Sequence, residues 1–194
     1  DRVKEFTQEF RWQGTSGRVD WLLGAFYLQR KYFFGQNMPT PGFDALNDPD
    51  VSGFPDAADY GYPDNIYVLN SETRQREAAV FADASYRPAR DLEITAGIRA
   101  FRHREDFRAD NDGTVNGGPS STQYAATDRG STPRISVSWL PDPGRTFYAS
   151  VARGFRPGGP NDPTIATVPG CGEELAAAGY ASVPASFSSD RLTS

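Results

Sequence analysis

Three arginines and the single histidine supply most of the binding chemistry in this sequence. Arg99, Arg134 and Arg156 lie in three segments in which apolar and polar residues alternate as in a β-strand, and each occupies a polar position. His103 lies four residues beyond Arg99. Guanidinium groups suit the carboxylate and catecholate oxygens of an anionic ligand. Two interpretations stay open: these side chains contact a ligand, or His103 is a solvated rim residue and the arginines balance nearby carboxylates. The carboxylates concerned are Asp83, Glu77 and Glu93.

No catalytic motif accompanies these side chains. The sequence contains no GxSxG elbow, P-loop, HExxH or CxxC pattern, and a lone histidine cannot complete a catalytic triad. The DNDG segment at 110–113 lacks the ligand spacing of a calcium loop. Cys171 has no second cysteine in the chain, and whether it pairs elsewhere stays open. We predict no enzyme activity, no cofactor and no metal site.

The elements that must position these residues are apolar hairpins, and the clearest spans residues 78–100. Outside the turn, at 78–86 and 92–100, the even positions are wholly apolar and the odd positions mostly polar, a period-two pattern that predicts two strands with different surroundings on their two faces. We place the turn at residues 87–91. The predicted register pairs Tyr86 with Leu92, Ala84 with Ile94 and Val80 with Ile98.

Two further hairpins repeat this arrangement. A tight turn at Ser16 and Gly17 predicts one of them, and the PDPG segment at 141–144 predicts the other. The predicted pairs are Trp12 with Trp21, Phe10 with Leu23, Phe6 with Tyr27, Trp139 with Phe147 and Ile135 with Val151. In each hairpin the apolar residues of both strands fall on one face.

Long polar connections separate the hairpins. Residues 35–73, residues 103–131 and the segment beyond Arg156 are rich in turn-forming or polar residues and are predicted as long loops. Alternating short and long connections predict an all-β, antiparallel up-and-down meander with its short turns at one rim. This pattern is typical of six strands of a larger transmembrane β-barrel. A soluble sandwich would give the same alternation.

A ring of aromatic residues favours the membrane interpretation. Large aromatic side chains lie on the apolar face beside the short turns, where such residues mark a membrane interface. They are Trp12, Trp21, Tyr86, Trp139 and Phe147. No run approaches the roughly 20 apolar residues of a membrane-spanning helix. The net charge of -5 and a pI near 4.9 argue against nucleic acid as a partner.

Several segments resemble the β-barrel region of TonB-dependent outer-membrane receptors. EFTQEFRWQ with DWLLGAFYLQR resembles a Gln-Glu strand followed by a Trp-Leu-Xaa-Gly strand, and AAVFADASYRPARDLEITAGIRA resembles the Ala-Val-Phe strand with its partner. TPRISVSW and TFYASVARGFRPGGPN are similar to a Thr-Pro-Arg strand and a Tyr-Ala-Ser strand ending in Gly-Phe-Arg-Xaa-Gly-Gly. The resemblance covers nearly all of the chain.

This resemblance implies a barrel of about 22 strands around an N-terminal plug, in the bacterial cell outer membrane. It implies uptake of a scarce ligand, such as a ferric siderophore or cobalamin, with energy from the TonB complex. The implied partners are outer-membrane lipid, TonB through an N-terminal region, and the small-molecule ligand.

Six strands cannot close a membrane barrel, for which about eight is the minimum. We therefore expect residues 1–194 to be part of the barrel domain, without its plug and C-terminal strands. The alternatives are a passive porin or adhesive outer-membrane barrel, and a soluble all-β binding module.

Overall fold

Long antiparallel strands account for most of the computed structural model, which describes residues 1–161, 171–184 and 186–194. The strands are β1 (Arg2–Ser16), β2 (Val19–Pro39), β3 (Asn65–Ala89), β4 (Leu92–Asp112), β5 (Ser120–Asp142), β6 (Arg145–Arg156), β7 (Gly159–Pro160), β8 (Ser186–Phe187) and β9 (Asp190–Thr193). The helices are α1 (Phe43–Leu46), α2 (Pro49–Ser52) and α3 (Cys171–Ala177), with 3-10 turns at Ala57–Tyr60 and Thr114–Asn116. None of the helices in these residues combines the length and the hydropathy of a membrane-spanning helix.

One large sheet contains seven of these strands in the order β1-β2-β3-β4-β5-β6-β9. Every neighbouring pair is antiparallel, so the predicted all-β up-and-down meander is confirmed. The sheet has one strand more than the six predicted. β9 adds to the far edge of β6, where unpaired backbone N–H and C=O groups are available for a further strand.

The two faces of the sheet differ as the alternation predicts. Side chains of the outer face are apolar and exposed, with Phe10 at 69%, Val80 at 61% and Ile98 at 51% exposure. The apolar residues buried in the described part of the chain are only three alanines: Ala57, Ala79 and Ala109. A soluble sandwich would bury its apolar face in a core, whereas this sheet leaves that face open.

The predicted strand registers are correct for one hairpin and wrong by two residues for the other two. Trp139 faces Phe147 as predicted. Trp12 faces Leu23 instead of Trp21, and Tyr86 faces Ile94 instead of Leu92. An irregularity between Tyr86 and Ala89 takes up the difference in the second hairpin. Because side chains alternate with a period of two, a two-residue shift keeps every apolar residue on the predicted face.

The long polar loops are shorter than predicted, because the strands continue into them. β4 runs to Asp112 and β5 begins at Ser120, so most of residues 103–131 forms paired strand. β2 and β3 likewise extend to Pro39 and from Asn65. The apolar outer-face residues, which on β3 and β4 lie at 78–86 and 92–100, form an apolar band across the sheet. Beyond this band both faces carry polar residues, so the alternation that identifies a strand disappears although the backbone pairing continues.

The remaining connection between β2 and β3 is a compact loop held by Asp44. The carboxylate of Asp44 accepts hydrogen bonds from the backbone N–H groups of Ala57 (2.5 Å) and Asp64 (2.8 Å). Thr114, at the end of the neighbouring hairpin, donates its hydroxyl to the carbonyl of Pro55 at 2.7 Å. The two loops are therefore joined at the same end of the sheet.

The segment beyond Arg156 is not a continuous loop. It contains β7 and β8 paired with each other, α3 beginning at Cys171, and β9 on the large sheet. Residues 162–170 and 185 of this predicted loop lie outside the described part of the chain. Cys171 is a free thiol in the structure.

Candidate functional site

A chain of charged and polar side chains crosses the inner, polar face of β3 and β4. Arg99 donates to the carboxylate of Glu77, and the same carboxylate lies 3.7 Å from His103 Nδ1. Glu105 lies 4.0 Å from the other ring nitrogen of His103 and accepts a hydrogen bond from Gln75 at 2.7 Å. The structure therefore brings Arg99 and His103 together through one shared carboxylate.

Arg99 also contacts an aromatic ring of the neighbouring strand. Its guanidinium carbon lies 4.9 Å from the ring centroid of Phe26 on β2, a cation–π arrangement. Both residues belong to the inner face, because Phe26 pairs with Ala79 and Ala79 pairs with Phe101, two residues from Arg99. The guanidinium is thus held by a carboxylate and an aromatic ring together.

Arg134 forms a second ion pair on this face. It donates to the carboxylate of Asp83 from both Nε (3.1 Å) and an Nη atom (2.7 Å). Gly97, the residue between them in the sheet, leaves room for the pair, because an added Cβ would lie 2.9 Å from Arg134 Nε and collide with Asp83. Arg99 and Arg134 therefore bind two of the carboxylates that the balancing interpretation names, Glu77 and Asp83.

Arg156 does not join this group. Its guanidinium binds Asp190 of β9 at 2.5 Å. The neighbouring Phe155 packs its ring 4.5 Å from that of Phe101 on the inner face. Since neighbouring residues of a strand point to opposite sides, Arg156 lies on the other side of the sheet from Arg99.

Sequence reasoning missed two members of the polar chain, Gln75 and Glu105. Glu105 falls in the segment that was predicted as a loop, and Gln75 carries no charge. Continuing the odd parity of Arg99 and His103 by one more step would have identified Glu105. Glu93, named as a partner for the three arginines, instead binds Arg87 at 2.7 Å.

The two carboxylates control the protonation of His103. This residue is buried and lies beyond Ala100, the last apolar residue of the outer face on β4, and so outside the apolar band. The Glu105 carboxylate, and after it the Glu77 carboxylate, raise the pKa of His103 to about 9. The imidazole is therefore charged at neutral pH, and the two positive charges of Arg99 and His103 balance the two carboxylates of Glu77 and Glu105.

This raised pKa predicts a loss of stability at alkaline pH. The contribution of charged His103 is complete below its ordinary pKa of 6.5 and is lost as the pH rises through about 9. We expect the thermal midpoint of the complete receptor in detergent to exceed that of His103→Gln at pH 6. The difference should shrink steadily between pH 7 and pH 10. A difference that stays constant over this range would contradict the assigned charge of His103.

The five predicted interface aromatics lie where the alternation places them, on the outer face beside the short turns. Trp12 and Trp21 form an edge-to-face pair with centroids 5.3 Å apart, and Trp139 and Phe147 lie 5.6 Å apart. Trp139 donates its indole N–H to Asp91 in the turn at 2.9 Å. An apolar ring with its polar atom directed at the turn is the arrangement expected at a membrane interface. Contact with lipid remains a prediction.

Each positive group of the candidate site is paired with a carboxylate: Arg99 and His103 with Glu77, and Arg134 with Asp83. The guanidiniums and the charged imidazole are hydrogen-bond donors, and the carboxylates beside them set their positions. Within the described residues, no group of three His, Cys, Asp or Glu side chains could hold a metal ion.

Comparison with known proteins places this sheet in a family. A family model described as "TonB dependent receptor-like, beta-barrel" matches residues 2–185. The fold is similar to the crystal structure of the ferric yersiniabactin uptake receptor FyuA from Yersinia pestis, with a TM-score of 0.64 and 16% sequence identity. That match covers 82% of this chain and 22% of the receptor, so the chain spans about a fifth of the receptor's length. Because the family model covers nearly the whole meander, the chain belongs to the TonB-dependent receptor β-barrel family.

Proposed function

We propose that this chain forms part of the barrel wall of a bacterial outer-membrane receptor that takes up a scarce ligand with energy from the TonB complex. The observation that carries this proposal is the opposite character of the two faces. Val80 and Ile98 are exposed on the outer face. The linked polar side chains of Arg99, Glu77, His103 and Glu105 lie on the inner face of the same strands. Apolar outside and polar inside is the arrangement of a membrane barrel.

Seven strands are fewer than the roughly eight needed to close a barrel. Residues 1–194 would then be one part of the barrel domain, with further strands completing the wall. In the complete receptor, a plug would fill the lumen and an N-terminal region would contact TonB. Both of these partners are part of the proposal.

The ligand class that we propose is an anionic ferric chelate, such as a ferric siderophore. Guanidinium groups bind carboxylate and catecholate oxygens in a bidentate manner, and Arg99 and Arg134 present such groups on the inner face. The name of the Yersinia receptor, which takes up ferric yersiniabactin, agrees with this class.

Uptake of radiolabelled iron tests the proposal. The complete receptor would be expressed in a bacterial strain without its own ferric-chelate receptors, and a panel of carboxylate and catecholate siderophores would be supplied. We expect accumulation of at least one chelate, and its loss when TonB is deleted or the proton gradient is collapsed. Uptake that continues without TonB would indicate a passive porin, and no uptake of any chelate would contradict the ligand class.

The same assay tests the role of Arg99. Arg99→Gln should weaken binding of the accepted chelate about tenfold, because a hydrogen bond from a charged donor contributes roughly 1.5–3 kcal/mol. Arg108→Gln is the matched control, since Arg108 lies on the same strand but is exposed and binds Asp110. Equal loss in both variants would show that charge alone, and not the inner face, governs binding.

A further inference from the structure

A small cavity lies against the inner face of β3 and β4, toward the end of the sheet that carries the loops. Its volume is about 200 Å³, and Leu69, Phe107 and Ala109 line it from the sheet. Leu69 continues the alternate positions of Glu77 on β3, and the other two continue those of Arg99 and His103 on β4. The cavity therefore belongs to the inner face, beyond the candidate site.

The opposite wall of the cavity comes from the segment after β6. Pro160 of β7 and the following Asn161 line it. Pro160 pairs with Ser186 of β8, and the side-chain amide of Asn161 donates to the carbonyl of Pro184 at 2.9 Å. Both walls are thus fixed by contacts within the protein, as is usual for a preformed ligand site.

Asn111 places a buried hydrogen-bond acceptor at this cavity. It lies on the inner face opposite Leu69, lines the cavity and is only 8% exposed. Its side-chain oxygen Oδ1 is buried and has no hydrogen-bond partner among the described residues. An unpaired buried acceptor costs free energy, which a donor placed beside it would recover. The missing group is therefore an O–H or N–H donor.

The other lining residues indicate what carries this donor. None of the described residues that line the cavity is charged, so an ionic group would lose its hydration there without gaining a counter-charge. Two of the walls are aromatic, Tyr67 and Phe107, and aromatic rings pack favourably against other rings. Since a cavity of about 150 Å³ holds benzene, this one has room for a single ring with one small substituent.

We propose that this cavity binds a neutral single-ring compound that donates one hydrogen bond to Asn111 Oδ1. Phenol is the simplest compound of this class. Its ring would contact Phe107, Leu69 and Ala109, and its hydroxyl would donate to the amide oxygen. A water molecule alone, which fills only about 30 Å³, would leave most of the apolar wall without a contact.

This site is separate from the candidate site and independent of the proposed function. Phe107 lies eight residues beyond Arg99 on β4, a distance of about 26 Å along the strand. A chelate held by Arg99 and Arg134 therefore does not reach it. The ligand chemistry also differs, because an oxygen that has lost its proton to bind iron cannot donate a hydrogen bond to Asn111.

Two matched probes test the site in the complete receptor, purified in detergent. 4-Fluorophenol carries the donor, whereas 4-fluoroanisole has the same ring with a methyl group in place of the hydroxyl hydrogen. Fluorine NMR line broadening would measure the binding of each probe. We expect 4-fluorophenol to bind about tenfold more tightly, the effect of one hydrogen bond to a buried acceptor. Equal affinities, or no binding of either probe, would overturn the proposal.

Three variants assign this preference to the cavity. N111L removes the acceptor and should bind the two probes equally. A109L fills the cavity and should bind neither, so that it also measures the signal from the detergent. N70L is the matched control, because Asn70 is exposed on the outer face of β3, and it should keep the tenfold preference. Loss of the preference in N70L, or its survival in N111L, would contradict the assignment.

Thermal unfolding without a probe gives an independent test. N111L should unfold at the same or a higher temperature than the natural sequence, because an unpaired buried acceptor is replaced by an apolar group of similar size. A lower unfolding temperature would show that Asn111 Oδ1 has a protein partner in the complete receptor, and the ligand site would then be wrong. Neither measurement depends on TonB or on iron uptake.

Discussion

Replacing Ile98 by arginine in the complete receptor should lower the free energy of unfolding by about 2–4 kcal/mol. Ile98 is 51% exposed on the outer face and lies within the apolar band between Ile94 and Ala100. In a bilayer, an arginine at this depth must either lose its hydration or draw water into the hydrocarbon layer. Denaturant titration of the receptor in lipid vesicles measures this change.

Thr95→Arg is the control for the opposite face. Thr95 lies on the inner face of the same strand, where its hydroxyl is 2.8 Å from that of Ser85. Its replacement should cost only about 1 kcal/mol, the typical contribution of one hydrogen bond, because the new side chain reaches an aqueous lumen. Equal destabilisation at the two positions would contradict the assignment of the faces.

The 194-residue chain refolded alone in buffer should form sedimenting aggregates, and detergent micelles should keep a large part of it in solution. Its outer face presents Phe6, Phe10, Val80 and Val151 at 56–69% exposure. Soluble monomers rarely expose contiguous apolar patches larger than a few hundred Å². β1 also leaves one edge of the sheet unpaired, which is a template for pairing with other chains.

Analytical sedimentation with and without detergent distinguishes the two possible outcomes. Substituting Val80 and Ile98 by threonine should raise the soluble fraction in buffer, whereas substituting Thr73 and Thr95 of the inner face by valine should not. A protease-resistant monomer of the natural sequence in plain buffer would show that the apolar face is covered by protein. The soluble all-β alternative would then be favoured.

The sequence by itself determined the strands within the apolar band, their faces and the meander. Val80, Ile98 and Ile135 mark these strands because the outer and inner faces of the sheet differ in polarity, and that difference appears in the sequence as a period of two. The aromatics Trp12 and Trp139 are readable for the same reason, since their position relative to the short turns follows from strand length. The family resemblance rested on these same segments.

Only the tertiary structure decided where the strands end and how they pair. Within the apolar band a two-residue slip leaves every side chain on its face, so alternation cannot distinguish Tyr86 opposite Leu92 from Tyr86 opposite Ile94. Beyond the band both faces carry polar residues, so no alternation of apolar and polar residues marks the strands around Glu105 and Arg129.

The candidate site shows the same division. Parity placed Arg99, Arg134 and His103 on one face, and the structure agrees. The shared carboxylate of Glu77, the part played by Glu105, and the separation of Arg156 depend on contacts between strands. Such contacts follow from the register and from a change of face in β6, where Phe155 lies on the inner face although Phe147 and Val151, which share its parity, lie on the outer face. Both are set by the packing of neighbouring strands and not by the residues of any one strand.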